Sequence, residues 1–274
     1  MSGEQKTEAV ATMTELFHLA PQLLIGVVHL APLPGSPRWT GKLDSVLRRA
    51  VKDARAYEHG GAHALFIENF GDVPFTKGAV GPETVAAMAA AGRAVAGAVK
   101  IPLGFNVLRN DARAALALCA ACGGSFIRVN VHTGAMLTDQ GLIEGNAFET
   151  LRYRQQICPA AQIFADVHVK HAVALGQWEI GRSARDALER GLADALIISG
   201  AGTGFAADSA DLERVRAACP GAKIFVGSGA NRENISSYRP LADGFIVGTS
   251  LKRGGRIGNP VDPQRVAEMI RAMK

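Results

Sequence analysis

The chain is poor in the residues that staple small secreted domains and in those that read nucleic acids. Among 274 residues there are four cysteines, two tryptophans and three tyrosines. Cys119, Cys122, Cys158 and Cys219 lie in or at the ends of Ala-rich helical stretches. Cys119 and Cys122 form a CxxC, but no second pair follows at zinc-site spacing. All four therefore read as small buried apolar groups in a reducing compartment. The formal net charge is +5, without a dense Lys/Arg cluster or an aromatic-basic stripe. That argues against a nucleic-acid partner and leaves a mild positive excess suited to an anionic small molecule. No stretch reaches the roughly 18 uninterrupted apolar residues of a membrane span, and the apolar segment 86–99 is broken by Arg93. The opening residues, MSGEQKTEAVATMTELF, lack a basic start followed by an apolar run, so no secretory signal is expected. These absences point to a cytoplasmic protein without a transmembrane segment. Peripheral contact with a membrane is left open.

What is present is alternation. Apolar residues make up 48% of the chain, and 31 glycines punctuate it. Short apolar runs at 23–30, 64–69, 102–107, 126–131, 163–170, 195–199, 223–228 and 244–248 read as strands. Helical segments separate them at 44–59, after Pro82, at 112–122, 147–157, 183–190 and 210–219, and briefly after Asn231. A last one follows at 263–273. Eight βα units in one chain of this length predict a single (β/α)8 TIM barrel over 23–274. An open doubly wound sheet is the alternative and would usually be smaller. Residues 1–22 are expected to form a short, helical N-terminal extension. Helix-to-strand connections are short and Gly-rich, whereas those at 31–42, 70–81, 132–145 and 249–260 are long. The elaborated end is where such barrels build their sites.

Three Gly-rich segments follow strands six, seven and eight. They supply Gly200, Gly202, Thr203 and Gly204, then Gly227, Ser228 and Gly229, then Gly248, Thr249 and Ser250. Glycine lets backbone N–H groups approach an anion closely, so the three together predict a phosphate site, with the hydroxyls as further donors. Lys252 and Arg253 follow and could strengthen the site, though solvated surface charges are the plainer reading.

The period of two along a strand places Asp166, His168 and Lys170 on one face of the fifth strand, and Arg128 and Asn130 on one face of the fourth. His29, Glu68, Asn69, Asp72 and Asn106 end the first three strands. Burying so many polar groups is costly unless partners or a ligand satisfy them. Two readings follow, a structural network or a site. As a site, Glu68 or Asp166 is the candidate base, and His168 or Lys170 the acid. His29, Asn69, Asp72, Asn106, Arg128 and Asn130 would bind substrate. Asp166 and Lys170 could also form an ion pair, and a Lys170 Schiff base stays open. No cofactor is demanded. A divalent metal on Glu68, Asp166 and the histidines is left open, since no compact metal motif occurs.

The segment Leu24-Ile25-Gly26-Val27-Val28-His29-Leu30-Ala31-Pro32-Leu33-Pro34-Gly35-Ser36-Pro37 resembles the opening signature of the BtpA/SgcQ family. Phe66-Ile67-Glu68-Asn69-Phe70-Gly71-Asp72, Ala165-Asp166-Val167-His168-Val169-Lys170-His171 and Ser199-Gly200-Ala201-Gly202-Thr203-Gly204 are similar to further family blocks. The resemblance implies a barrel of the ribulose-phosphate-binding type. It also implies two functional labels: photosystem I biogenesis or stability at thylakoid membranes, and sugar or nucleoside utilisation. The expectation is an enzyme acting by acid/base chemistry on a phosphorylated sugar, nucleotide or related metabolite, as a lyase, aldolase, isomerase or hydrolase. The alternative is a non-catalytic assembly factor for a membrane complex. A homo-oligomer is expected because barrel enzymes often associate.

Overall fold

The computed structural model describes residues 19–176, 179–200, 202 and 204–274. Eight parallel strands close into a barrel: β1 (Leu23–His29), β2 (Ala64–Glu68), β3 (Leu103–Asn106), β4 (Phe126–Val129), β7 (Gln162–Val167), β9 (Ala195–Ile198), β10 (Ile224–Val226) and β11 (Gly244–Val247). Around the barrel they run β1-β11-β10-β9-β7-β4-β3-β2. The helices among the described residues are α1 (Leu43–His59), α2 (Pro82–Ala96), α3 (Ala112–Cys122), α4 (Ala147–Ile157), α5 (Ile180–Arg185), α6 (Ser209–Ala218), α7 (Ile235–Tyr238) and α8 (Pro263–Ala272). A π-helical turn, Asp186–Arg190, prolongs α5. The fold is thus the TIM barrel expected from the alternating pattern. The expected N-terminal helix falls mostly outside the described residues, and residues 19–22 are not helical.

Local chemistry sets the element ends. Asp111, Asn146, Asp208 and Asp262 each cap a helix by accepting from a backbone N–H of its first turn. Pro82 and Pro263 occupy first-turn positions, where a missing N–H costs nothing. Gly123 ends α3 in the left-handed conformation.

The barrel interior is filled in layers. Alternation along the strands turns Leu23, Ile25, Val27, Phe66, Phe126, Phe164, Ile197, Phe225 and Ile246 inward as one buried cluster. Phe66 meets Phe126 edge-on at 4.7 Å between centroids, and Phe164 meets Phe225 at 4.9 Å. Gly104 and Gly244 face these rings, and a Cβ at either position would collide with Phe126 or Phe225. One inward position further along, the layer changes from apolar to polar. His29, Glu68, Asn106, Arg128 and Asp166 succeed Val27, Phe66, Gly104, Phe126 and Phe164 by steps of two. The floor of the mouth is therefore dictated by the strand period.

Two of the loops at the carboxyl ends of the strands hold structure that their composition did not announce. The antiparallel strands β5 (Ala135–Thr138), β6 (Gly141–Glu144) and β8 (Ala172–Ala174) form a small sheet beside the mouth. Met136 and Ile143 pack beneath it against Val131 and Val169. Leu137, Leu142 and Val173 point the other way and are exposed.

Candidate functional site

A cavity of about 530 Å³ opens at the carboxyl ends of the strands. Its inner wall carries His29, Glu68, Arg128 and Lys170, and its outer wall the loops after β10 and β11. A second cavity of about 630 Å³ lies under the small sheet and is lined by Asn130, Asp166, His168 and Ser183, among others. Arg128 lines the first and Asp166 the second, so their ion pair stands between the two.

That pair is the most fully engaged polar group in the mouth. Arg128 Nε and Nη2 each donate to Asp166 at 2.8 Å, in the two-pronged geometry that suits guanidinium and carboxylate. Both side chains are buried, Arg128 at 4% exposure. Asn130 donates to Asp166 at 2.8 Å, Ser199 Oγ at 3.3 Å, and Asn106 donates to Asn130 at 3.3 Å. Asp166 pairs with Arg128, which replaces the ion pair with Lys170 considered from sequence. With its oxygens taken, Asp166 has little capacity left to accept a substrate proton.

Glu68 is the contrast. It is 5% exposed, and its carboxyl forms no hydrogen bond among the described residues. His29 Nε2 lies 3.8 Å from its Oε1. Burial pushes the Glu68 carboxyl above its ordinary range, against the pull of Lys170 and Arg128. Burial, with Lys252 and Lys170 nearby, holds the His29 imidazole well below its usual range, so the ring is neutral. Lys170 lines the same cavity, and its ammonium forms no hydrogen bond or ion pair among the described residues. Burial and the Arg128 charge lower its pKa.

The remaining sequence candidates separate. His168 lines the second cavity with Asp166 and not the first with Lys170. β7 stops at Val167, His168 takes a positive φ of 51°, and its Nε2 lies 2.9 Å from Ser183 Oγ. The strand period fails there because the extended backbone has ended. Asn69 and Asp72 do not line the main cavity. Asn69 donates to Asp72 at 3.2 Å, while Asn69 Oδ1 accepts from Leu108 N and Asp72 Oδ1 from Leu33 N, so the two brace the loops after the first three strands.

Gly204, Gly227, Ser228, Gly229, Gly248, Thr249 and Ser250 line the cavity, whereas Gly200 and Gly202 do not. Thr203 lies outside the described residues. A Cβ on Gly248 would strike the His29 ring, one on Gly227 the Ile197 side chain, and ones on Gly200 and Gly229 the Phe205 carbonyl. The loops thus interlock, and their glycines serve that packing too. Two of the expected hydroxyl donors are already engaged. Ser250 Oγ donates to Ala230 O at 2.9 Å and Ser228 Oγ to Phe205 O at 3.3 Å. What remains is backbone: the N–H groups of Ser228, Gly229, Ala230, Thr249 and Ser250 find no acceptor among the described residues. All five residues line the one cavity.

Three polar residues near the mouth stood outside the sequence reading of the site, Lys252 and Arg109 buried and Ser199 half-buried. Lys252, read as solvated, has 0% exposure, with Nζ 3.7 Å from Asp53 Oδ2. The clue was Asp53, an acid on the apolar stripe of α1 with Ala50, Ala54 and Tyr57. Ser199 continues the inward alternation of β9 and could have been found that way. Arg109 is 4% exposed and donates through Nη2 to the Lys170 carbonyl. It sits in a loop after β3, where no periodicity marks it.

Among the described residues there is no group of three or more His, Cys, Asp or Glu placed to hold a metal ion. Nor is any helix there long and apolar enough to cross a membrane.

Residues 21–274 match the BtpA family. The chain is 49% identical to the photosystem I biogenesis protein BtpA of Synechocystis, covering 91% of this chain and 87% of that protein. It is 34% identical to the putative sgc region protein SgcQ of Escherichia coli, covering 90% and 92%. Among solved structures, tryptophan synthase of Mycobacterium tuberculosis superposes with a TM-score of 0.63 at 16% identity, covering 94% of this chain and 96% of that one. Phosphoribosyl anthranilate isomerase of Thermus thermophilus superposes with a TM-score of 0.57 at 13% identity, covering 92% and 98%. At such identities the structural likeness is one of fold. The chain itself, a closed TIM barrel matched from its first strand to its last residue, belongs to the BtpA family.

Proposed function

We propose that the protein is an enzyme that binds a phosphorylated small metabolite, such as a sugar phosphate or nucleotide, and moves a proton on it. The observation that carries this reading is a juxtaposition in one cavity. Among the described residues, Glu68 is a buried carboxyl without a side-chain hydrogen bond and Lys170 an ammonium without an ion pair, and both line the cavity with five backbone N–H groups that find no acceptor there. The N–H groups take the phosphate, since convergent backbone donors are what an anion requires. Glu68 accepts the proton, its raised pKa bringing it nearer the range in which a carboxyl both takes and returns one. Lys170 protonates or polarises the oxygen on which negative charge develops. Arg128 and Asp166 act as positioning residues, fixing the cationic wall beside Lys170. His29, neutral and against Gly248, orients Glu68 and closes the floor.

The test is a thermal-shift and calorimetric screen against phosphorylated sugars and nucleotides, with their dephosphorylated forms as controls. Binding to the folded state at about 100 times Kd adds roughly 2.7 kcal/mol, a readily seen shift. Stabilisation only by phosphorylated compounds is expected. No shift with any of them would defeat the reading.

A second reading is supported by the printed name of the Synechocystis relative and by one surface feature. Leu137, Leu142 and Val173 make an exposed apolar face beside the mouth, of the kind that marks interaction surfaces. In this reading the barrel is an assembly or stability factor for a membrane complex such as photosystem I. It gains ground if a Leu137→Lys, Val173→Lys variant loses membrane-complex association while keeping its melting temperature.

A further inference from the structure

The barrel order gives the mouth two poles. In the circle β1-β11-β10-β9-β7-β4-β3-β2, β10 lies opposite β3 and β11 opposite β4. One pole is the pair of loops after β10 and β11, with five N–H groups that find no acceptor among the described residues. The other is the wall made by β3, β4 and β7, where Arg128 and Lys170 line the cavity and Arg109 is buried beside them, outside its lining. Arg109 Nη2 donates to the Lys170 carbonyl, tying these two residues together.

The cationic wall is under-compensated. Arg128 is matched by Asp166, which it holds with two hydrogen bonds. Arg109 forms no ion pair among the described residues, and its Nε is buried without a hydrogen-bond partner. Lys170 has no ion pair there either. Asp139 on the β5–β6 turn is a further counter-charge for Arg109, but it is exposed and screened by water. Glu68 alone cannot balance both. Buried cations with spare donors are costly unless something neutralises them, and a phosphate on the opposite loops is at the wrong side of the mouth to do so.

The geometry points to a ligand with two separate anionic groups. A phosphate sits on the β10–β11 loops, and a carboxylate at the far end is received by Arg109 and Lys170. A planar carboxylate matches a guanidinium with free N–H groups. The substrate class is therefore a phosphorylated sugar acid or other phosphorylated carboxylic acid. This rests on the phosphate assignment proposed above.

Three probes separate the two claims: 6-phosphogluconate carries both anions, glucitol 6-phosphate only the phosphate, and gluconate only the carboxylate. By isothermal titration, 6-phosphogluconate should bind at least about tenfold more tightly than glucitol 6-phosphate, as expected for one charge-assisted contact. In Arg109→Gln the preference should fall below about threefold while glucitol 6-phosphate binds as before, and Arg109→Lys should keep part of it. Two variants guard against misfolding of either, and melting curves check both. Equal affinity for the two phosphorylated probes would overturn the second anionic subsite and leave the phosphate reading standing. Binding of gluconate as tight as that of 6-phosphogluconate, with none of glucitol 6-phosphate, would overturn the phosphate reading. Binding of none of the three would overturn both.

Discussion

On the β3–β4–β7 side of the mouth, one set of polar side chains bonds within itself, while Arg109 and Lys170 stand outside it. Arg128, Asp166, Asn130, Asn106 and Ser199 form a continuous hydrogen-bonded set. On the β10–β11 side, the side chains are small and their hydroxyls bond to neighbouring carbonyls, while backbone N–H groups find no acceptor among the described residues. The first region recognises through buried charge held in place by packing. The second recognises through backbone held in place by interlocked glycines. The two should fail differently: the first by leaving a charge stranded, the second by backbone strain.

Asp166→Ala is the largest expected effect. It strands Arg128 in a buried site, and breaking one partner of such a pair costs about 3–5 kcal/mol. Urea denaturation would measure it. The double variant Arg128→Met, Asp166→Leu sharpens the point. With neither charge present it should be far more stable than Asp166→Ala, because the cost lies in the orphaned charge rather than in the lost bond. Equal loss in both would mean that the network acts only by filling space.

Glu68→Gln probes the carboxyl that the network leaves out. Turnover of whichever phosphorylated compound the screen identifies should fall by roughly 10²–10⁴-fold, with binding retained. A rate within a few-fold of the wild type would remove Glu68 from the chemistry. Gly229→Ala probes the opposite pole. Its φ of +71° disfavours a Cβ, and that atom would meet the Phe205 carbonyl. A loss of about 1–3 kcal/mol is expected, together with weakened binding of inorganic phosphate. Intact phosphate binding would separate the glycine's packing role from any part in the site.

These differences also explain what could be read from the sequence. The barrel was legible because its apolar runs repeat eight times with short, Gly-rich returns. The inward polar layer was legible as far as the strands stay extended: Glu68, Asn106, Arg128 and Asp166 fall where a period of two puts them. His168 departs because the strand ends one residue earlier. Arg109 was illegible because loop residues have no period, and Lys252 because its partner Asp53 is 199 positions away in sequence. The small β5–β6–β8 sheet pairs segments from two separate loops, each too short to signal itself. The division between Asp166 and Glu68 was hidden for a similar reason. Both are inward carboxylates, and only their neighbours distinguish them.

The smallest effects are those of pH, and they sharpen the contrast within the mouth because two of its groups carry opposite signs. Burial and the nearby Lys252 and Lys170 keep His29 neutral in the folded state. As pH falls through about 6.5, the unfolded chain takes up a proton that folded His29 refuses. Its contribution to stability is therefore present above that pH and lost below it. Glu68 behaves in reverse. Its raised pKa means that the folded state holds a proton more readily than the unfolded one. Stability is thus favoured at low pH and declines as pH rises from about 4.3 towards the folded value. His63, His132, His168 and His171 also shift downward, so the wild-type profile alone mixes several groups. The difference between wild type and a variant isolates one. Urea titrations between pH 4 and 8 should show His29→Gln losing part of the acid-side decline, and Glu68→Gln gaining stability over wild type as pH rises. Parallel profiles for wild type and both variants would mean that neither group feels the burial assigned to it, and the acid/base role of Glu68 would fall with that result.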